Sequence, residues 1–186
     1  MLKKVLIAIA AIIVIFLIIV ACQPGDFRVQ RSATINAPAD VVFAQVNDFH
    51  KWEAWSPWAK MDPAAKNTFD GPVSGTGAMF GWKGNDKVGE GRMTILESTP
   101  PSLVRIKLEF IEPFPATDTS EFTFKPEGDK TAVTWAMFGP KNFMSKMFCM
   151  FMDMDKMVGG DFEKGLAQMK EIAEAETAKG KAPTSK

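Results

Sequence analysis

Lys141 to Ala178 reads KNFMSKMFCMFMDMDKMVGGDFEKGLAQMKEIAEAETA, a run of thirty-eight residues with no proline. Within it Met144, Met147, Phe148, Phe151, Met154, Val158, Phe162, Leu166, Met169 and Ile172 recur at helical spacing, which predicts one long amphipathic helix. Gly159-Gly160 is its candidate bend or break. A helix apolar along one stripe must lie on something, and the residues before it supply a surface.

That surface is a set of strands. Phe27, Val29, Ala33 and Ile35 alternate with polar residues, with Arg31 as the exception on the apolar face. Asn36-Ala37-Pro38 ends this strand, and Pro38 opens a helix whose stripe is Val41, Val42, Phe43 and Val46, followed by a second short helix from Phe49 to Trp55. Six further strand signals follow, at 67–69, 78–82, 88–97, 103–111, 120–125 and 131–138. Gly84-Asn85-Asp86 and Glu127-Gly128-Asp129 read as tight hairpin connectors, so the sheet is antiparallel. Val104, Ile106, Leu108 and Phe110 oppose Arg105, Lys107 and Glu109, which leaves one face wet and the other covered. The fold class is therefore α+β, a sheet of about seven strands with a long carboxy-terminal helix. The domain runs over 27–176, and a polar tail, 177–186, should fray.

Ahead of the domain stands a different kind of sequence. From Val5 to Cys22 eighteen residues carry no charge, and as a helix they span about 27 Å, close to the roughly 30 Å of a bilayer core. Lys3 and Lys4 precede the run and Pro24-Gly25-Asp26 follow it, which places the amino terminus in the cytoplasm and the domain outside. Residues 1–26 read as an uncleaved transmembrane anchor in preference to a cleaved signal. The alternative is a lipoprotein signal, because Ile19-Val20-Ala21-Cys22 fits a processing box that would leave Cys22 acylated.

The whole chain has 186 residues, 46% of them hydrophobic, and zero formal charge. Without residues 1–22 the hydrophobic share falls to about 40% and the balance becomes slightly acidic, which is ordinary for one globular domain. A near-neutral domain lacks the basic excess that phosphate neutralisation needs, so no nucleic-acid partner is expected. Fifteen Phe and five Trp argue against disorder. Cys22 in the membrane would stand apart from Cys149 on the helix, so no disulfide is expected and Cys149 reads as an inert buried thiol.

The element order is that of the helix-grip fold, a curved antiparallel sheet wrapped around a long helix. The sequence resembles a membrane-tethered branch of the START, polyketide cyclase and Bet v-like superfamily, SRPBCC. The resemblance spans about residues 27 to 175. It rests on Arg31-Ser32-Ala33-Thr34-Ile35-Asn36-Ala37-Pro38, Asn47-Asp48, Trp52-Glu53-Ala54-Trp55-Ser56-Pro57-Trp58, Val88-Gly89-Glu90-Gly91 and Met154-Asp155-Lys156-Met157-Val158-Gly159. It implies a cavity between sheet and helix that holds an apolar small molecule or a lipid, and it supplies no shared catalytic residue and no cofactor.

Candidate cavity residues follow from the alternation: Trp82, Met93, Phe110, Phe122 and Trp135 from the sheet, with Met150, Phe151 and Met154 facing them from the helix. The competing reading is that the same side chains fill a solid core. Trp52, Trp55 and Trp58 read as a core plug. The six methionines from Met144 to Met157 surround Cys149, and a packing role is favoured over a Cu(I) site because their spacing spreads them around the helix. Catalytic side chains are scarce: there is one histidine, His50, read as a surface or helix-end residue, and no tyrosine. Asp153 with Asp155, and Glu90 with Arg92, are charge pairs read as solvent-facing, which leaves a carboxylate-based cyclase or dehydratase as the runner-up to ligand binding. A protein-interaction module is a third class, with no partner identifiable.

Overall fold

The structure, a computed structural model, describes residues 1–141 and 143–181. Helix α1 (Leu2–Ala21) leads directly into β1 (Asp26–Ile35). Then come α2 (Ala39–Asn47), a 3₁₀ turn at Phe49–Lys51, α3 (Trp52–Trp55) and a second 3₁₀ turn at Pro57–Lys60. The remaining strands are β2 (Lys66–Asp70), β3 (Met79–Lys83), β4 (Glu90–Thr99), β5 (Leu103–Glu112), β6 (Ala116–Glu127) and β7 (Lys130–Pro140), and the chain closes with α4 (Phe143–Cys149) and α5 (Met154–Lys181).

The seven strands form one antiparallel sheet in the order β1-β7-β6-β5-β4-β3-β2, so every pair except β1 with β7 joins sequence neighbours. This is the helix-grip α+β architecture. Alternation decides the two faces. Ile95, Ile106, Ser120, Met137 and Val29 lie in one row across β4, β5, β6, β7 and β1, all buried on the concave side.

Helix α5 lies on β1, α2 and α3 and closes one half of that concave face. Its stripe of Phe162, Leu166, Met169 and Ala173 is buried, as helical spacing requires. Trp135 is clamped between Phe162, with ring centroids 4.0 Å apart, and Phe122 at 4.7 Å, and its indole N–H donates to Ser120 Oγ at 3.0 Å. Trp52 and Trp55 pack edge-on to the same ring and donate their indole N–H groups to the carbonyls of Val46 and Gln45, so two of the three tryptophans expected as a plug are buried and satisfied, while Trp58 is half-buried, edge-on to Trp135 and Phe162.

Several local expectations are corrected. The carboxy-terminal run is not one helix: it breaks between Cys149 and Met154, whereas Gly159-Gly160 lies inside a continuous α5. Gly159 makes room instead of breaking the helix, because the Arg31 guanidinium occupies the space where its β-carbon would stand. Helix α5 also continues to Lys181, past the boundary expected at 176, while residues 182–186 lie outside the described residues. The connector after β3 is no tight turn but a loop from Gly84 to Gly89, closed by a 2.9 Å hydrogen bond from the Gly84 amide to the Gly89 carbonyl. Gly128-Asp129, by contrast, is a two-residue hairpin turn with Gly128 at φ +65°.

Candidate functional site

Where α5 does not lie, the concave face stays partly open. Strand register puts Trp82, Gly91 and Phe110 in one row across β3, β4 and β5, and Phe80, Met93, Leu108 and Asp118 in the next row across β3 to β6. Phe80, Trp82, Leu108 and Phe110 are half-buried, while Met93 is buried beneath them. Together they make an aromatic trough beside the helix.

Trp82 is the best-defined wall of this trough. Its indole lies across Gly91, where any β-carbon would overlap the ring, and its N–H donates to the Val88 carbonyl at 3.0 Å. The ring stacks on Phe80, 6.1 Å between centroids, and meets Phe110 edge-on at 6.3 Å. Glycine at 91 is thus what allows a large indole to lie against the sheet.

Sequence reasoning missed Asp118. It is the sole buried carboxylate among the described residues, at 7% exposure, in the trough row between Leu108 and Gly139. A β-carbon at Gly139 would collide with its carboxylate, so the glycine makes room for the acid. No hydrogen bond or ion pair with another described residue offsets its burial, and desolvation alone pushes its pKa up to about 6. The signal was a break in alternation: on the strand Ala116, Asp118, Ser120, Phe122 and Phe124 share one face, and only the acid interrupts an otherwise small or apolar series. The acid also borders a shallow cleft of about 520 Å³ at the α1-proximal end of the sheet, lined in addition by Phe27, Arg28, Lys107 and Phe138.

The eight candidate residues do not converge. Trp82, Met93 and Phe110 line the trough, whereas Phe122 and Trp135 lie deeper, inside the stack beneath α5. Met150 and Phe151 fall in and beside the break between α4 and α5 and are exposed, and Met154 begins α5 half-buried. The reason is the helix break itself, which swings residues 143–153 away from the sheet and against α1. Four of the six clustered methionines, Met144, Met150, Met152 and Met157, are exposed, so core packing is not their role. Cys149 is half-buried rather than buried, and it and Cys22 are both free thiols.

The other titratable candidates are engaged elsewhere. Asp155 receives Arg31 Nη2 at 2.8 Å, and this hydrogen bond holds its pKa below the usual carboxylate range. Asp153 pairs with Lys156, Glu90 with Lys83 and Arg92 with Glu109. His50 is exposed, 2.8 Å from Asp48 Oδ1 and stacked on Phe69.

A curved sheet gripping a long helix, with an aromatic trough left open beside it, defines a helix-grip protein with the capacity to hold a ligand. The chain belongs to the family described as polyketide cyclase / dehydrase and lipid transport, whose model matches residues 26–174. Among solved structures it is similar to the di-domain ARO/CYC StfQ from the steffimycin biosynthetic pathway, at 9% identity and a TM-score of 0.60 over 83% of this chain and 53% of that one. It is likewise similar to a protein of unknown function from Staphylococcus aureus, at 13% identity and a TM-score of 0.60, covering 84% and 98% of the two chains. A third similar structure, from Thermobifida fusca, gives 20% identity and a TM-score of 0.59 over 78% and 92%. At these identities the likeness is one of fold. No curated protein matches.

Proposed function

We propose that this chain is a membrane-tethered binding protein that takes an apolar small molecule or lipid into the trough between the sheet and the carboxy-terminal helix. The observation that carries this reading is the half-buried aromatic surface of Phe80, Trp82, Leu108 and Phe110, left beside α5 when the rest of the concave face is sealed. Apolar surface of this kind is costly in water and is relieved by a ligand at about 25 cal/mol per Å². The family description names lipid transport, which agrees with such a ligand. Helix α1 is long and apolar enough to cross a membrane, and either an anchor or a signal sequence has that character. The eighteen-residue length of its apolar run favours an anchor, and Lys3 and Lys4 at its start put the domain on the extracytoplasmic side. Attachment through an acylated Cys22 would leave the domain on the same side.

Native mass spectrometry of the full chain released from nanodiscs tests the binding. A stoichiometric adduct that Trp82→Ala removes is the expected result, and an adduct-free wild-type chain would overturn it.

Asp118 favours a second reading, a cyclase- or dehydratase-like enzyme. A desolvated carboxyl with a pKa near 6 is suited to give and take protons at neutral pH, and it sits on the trough floor. Conversion of the bound molecule by the wild-type chain and not by Asp118→Asn would place the protein in that class.

A further inference from the structure

The apolar residues that the helix break expels from the core gather in one place. Phe143, Met144, Met150, Phe151, Met152 and Met157 are all exposed, Phe151 at 76%, along α4, the link to α5 and the first turn of α5. Such a patch on a soluble surface would be an aggregation liability. Here it has a fixed position relative to α1. Phe151 approaches Phe16 with ring centroids 6.5 Å apart, Lys146 Nζ donates to the Ala21 carbonyl at 3.2 Å, and the Lys141 amide donates to the Gly25 carbonyl at 2.8 Å. Val20 is fully buried, the one α1 residue to be so.

These contacts set a depth. Helix α1 is about 30 Å long, the thickness of a bilayer core, so its last residue, Ala21, marks the hydrocarbon boundary when α1 spans. Phe16 lies five residues earlier, about 7.5 Å further in at 1.5 Å per residue. Phe151, beside Phe16, is then below the boundary, at the depth of roughly 5–10 Å to which interfacial helices bury their apolar faces. Lys146, whose ammonium reaches the carbonyl at the end of α1, then sits at headgroup level.

We infer that α4 and the link to α5 form a second membrane contact, embedded in the bilayer interface beside α1. The occupant of the patch is the lipid of the leaflet from which α1 emerges. This orients the trough. Register places the row of Trp82, Gly91 and Phe110 next to the ends of β4 and β5 at Glu90 and Glu112, on the same side of the sheet as Asp26 and Pro140, where α1 and α4 join. That end of the trough therefore faces the leaflet, which puts the bilayer within reach of its aromatic row. The inference rests on α1 being retained as a span.

Site-directed spin labelling of the full chain in phosphatidylcholine nanodiscs tests it, with Cys22 and Cys149 replaced by Ser. Labels are placed through Phe143→Cys, Phe151→Cys and Met152→Cys at the patch, Ile12→Cys in α1, and Asp129→Cys in the β6–β7 hairpin at the opposite end of the sheet. The expected result is an oxygen-to-nickel-chelate collision ratio at the patch several-fold above that of Asp129→Cys and approaching that of Ile12→Cys. Water-like ratios at all three patch sites with a lipid-like Ile12→Cys would overturn the docking while the tether stands. A water-like Ile12→Cys would overturn the tether and the docking together. Three independent patch positions keep the result readable where one substitution misfolds.

Discussion

The guanidinium of Arg31 lies against Gly159, where a side chain on the helix would displace it. From there it donates to Asp155 Oδ2 at 2.8 Å, to Glu163 Oε1 at 2.7 Å and to the Asp155 carbonyl at 3.0 Å, fastening the start of α5 to β1. The adjacent Gly160 has nothing within 4 Å of its would-be β-carbon. The two glycines should therefore respond oppositely to alanine. Gly160→Ala gains helix propensity and should stabilise by about 0.5–1 kcal/mol. Gly159→Ala gains the same propensity but forces Arg31 out of its clamp, and both carboxylate partners are largely exposed, so the lost pairs are modest. A net loss of about 1 kcal/mol is expected at Gly159. Denaturation midpoints of the two variants check this, and equal stabilisation would show that the clamp carries no weight.

Trp135 and Trp82 should separate stability from ligand occupancy. Trp135 is sealed between Phe122 and Phe162, so Trp135→Ala leaves a cavity and should cost about 3–5 kcal/mol. Trp82 is half-buried over Gly91, so Trp82→Ala should cost appreciably less while lowering ligand occupancy more. Melting curves alongside adduct mass spectra make the comparison. If Trp135→Ala empties the trough with little loss of stability, the ligand lies deeper than Trp82.

Much of this architecture was readable from residue pattern, and the failures have physical causes. Alternation in Val104, Ile106, Leu108 and Phe110 named the covered face, because a strand buried on one side must alternate. Arg31 already stood out as a cation on that face, but its partners Asp155 and Glu163 are more than a hundred residues away, and periodicity carries no such information. For the same reason Gly159 was read as a breaker when it is a space-maker. The methionine-rich stretch has helical spacing whether its apolar face meets a core or a bilayer, so spacing could not assign Met150 and Phe151 to the correct neighbour. Asp118 was lost because the polar run Thr117-Asp118-Thr119-Ser120 obscures where β6 begins. With the strand started at Ser120 the acid falls in a loop, whereas β6 begins at Ala116 and carries it onto the trough floor.

Processing at the amino terminus should be visible in the mass of the mature chain. Retention of α1 preserves the Phe16–Phe151 and Ala21–Lys146 contacts that hold α4. A mature chain beginning at an acylated Cys22 would lack them, because both α1 partners precede the cleavage point. Intact-mass measurement of protein from membranes should return the full sequence mass. A mass corresponding to residues 22–186 plus lipid would establish the lipoprotein route instead.

The burial of Asp118 makes a signed prediction about pH. Its pKa in the folded chain is pushed up to about 6 from the ordinary 3.8, so between these values the folded state binds the proton that the unfolded state has released. Stability attributable to this group is therefore greatest below pH 4 and falls as pH rises through 6. At 1.36 kcal/mol per unit the shift corresponds to at most about 3 kcal/mol, and water reaching the carboxylate from the adjoining cleft reduces the loss to about 2 kcal/mol. Asp118→Asn keeps the shape and removes the titration. Wild type and variant should thus be close at pH 4, and the variant should be more stable at pH 7 by about 2 kcal/mol. Denaturant titrations of both chains at pH 4, 5, 6 and 7 measure the difference directly, because other groups cancel between them. A variant less stable than wild type at pH 7 would mean that a cation partners the carboxylate, and the desolvation account would fail. A variant that is more stable yet holds less ligand would show the acid retained for what it binds, at a cost to the fold.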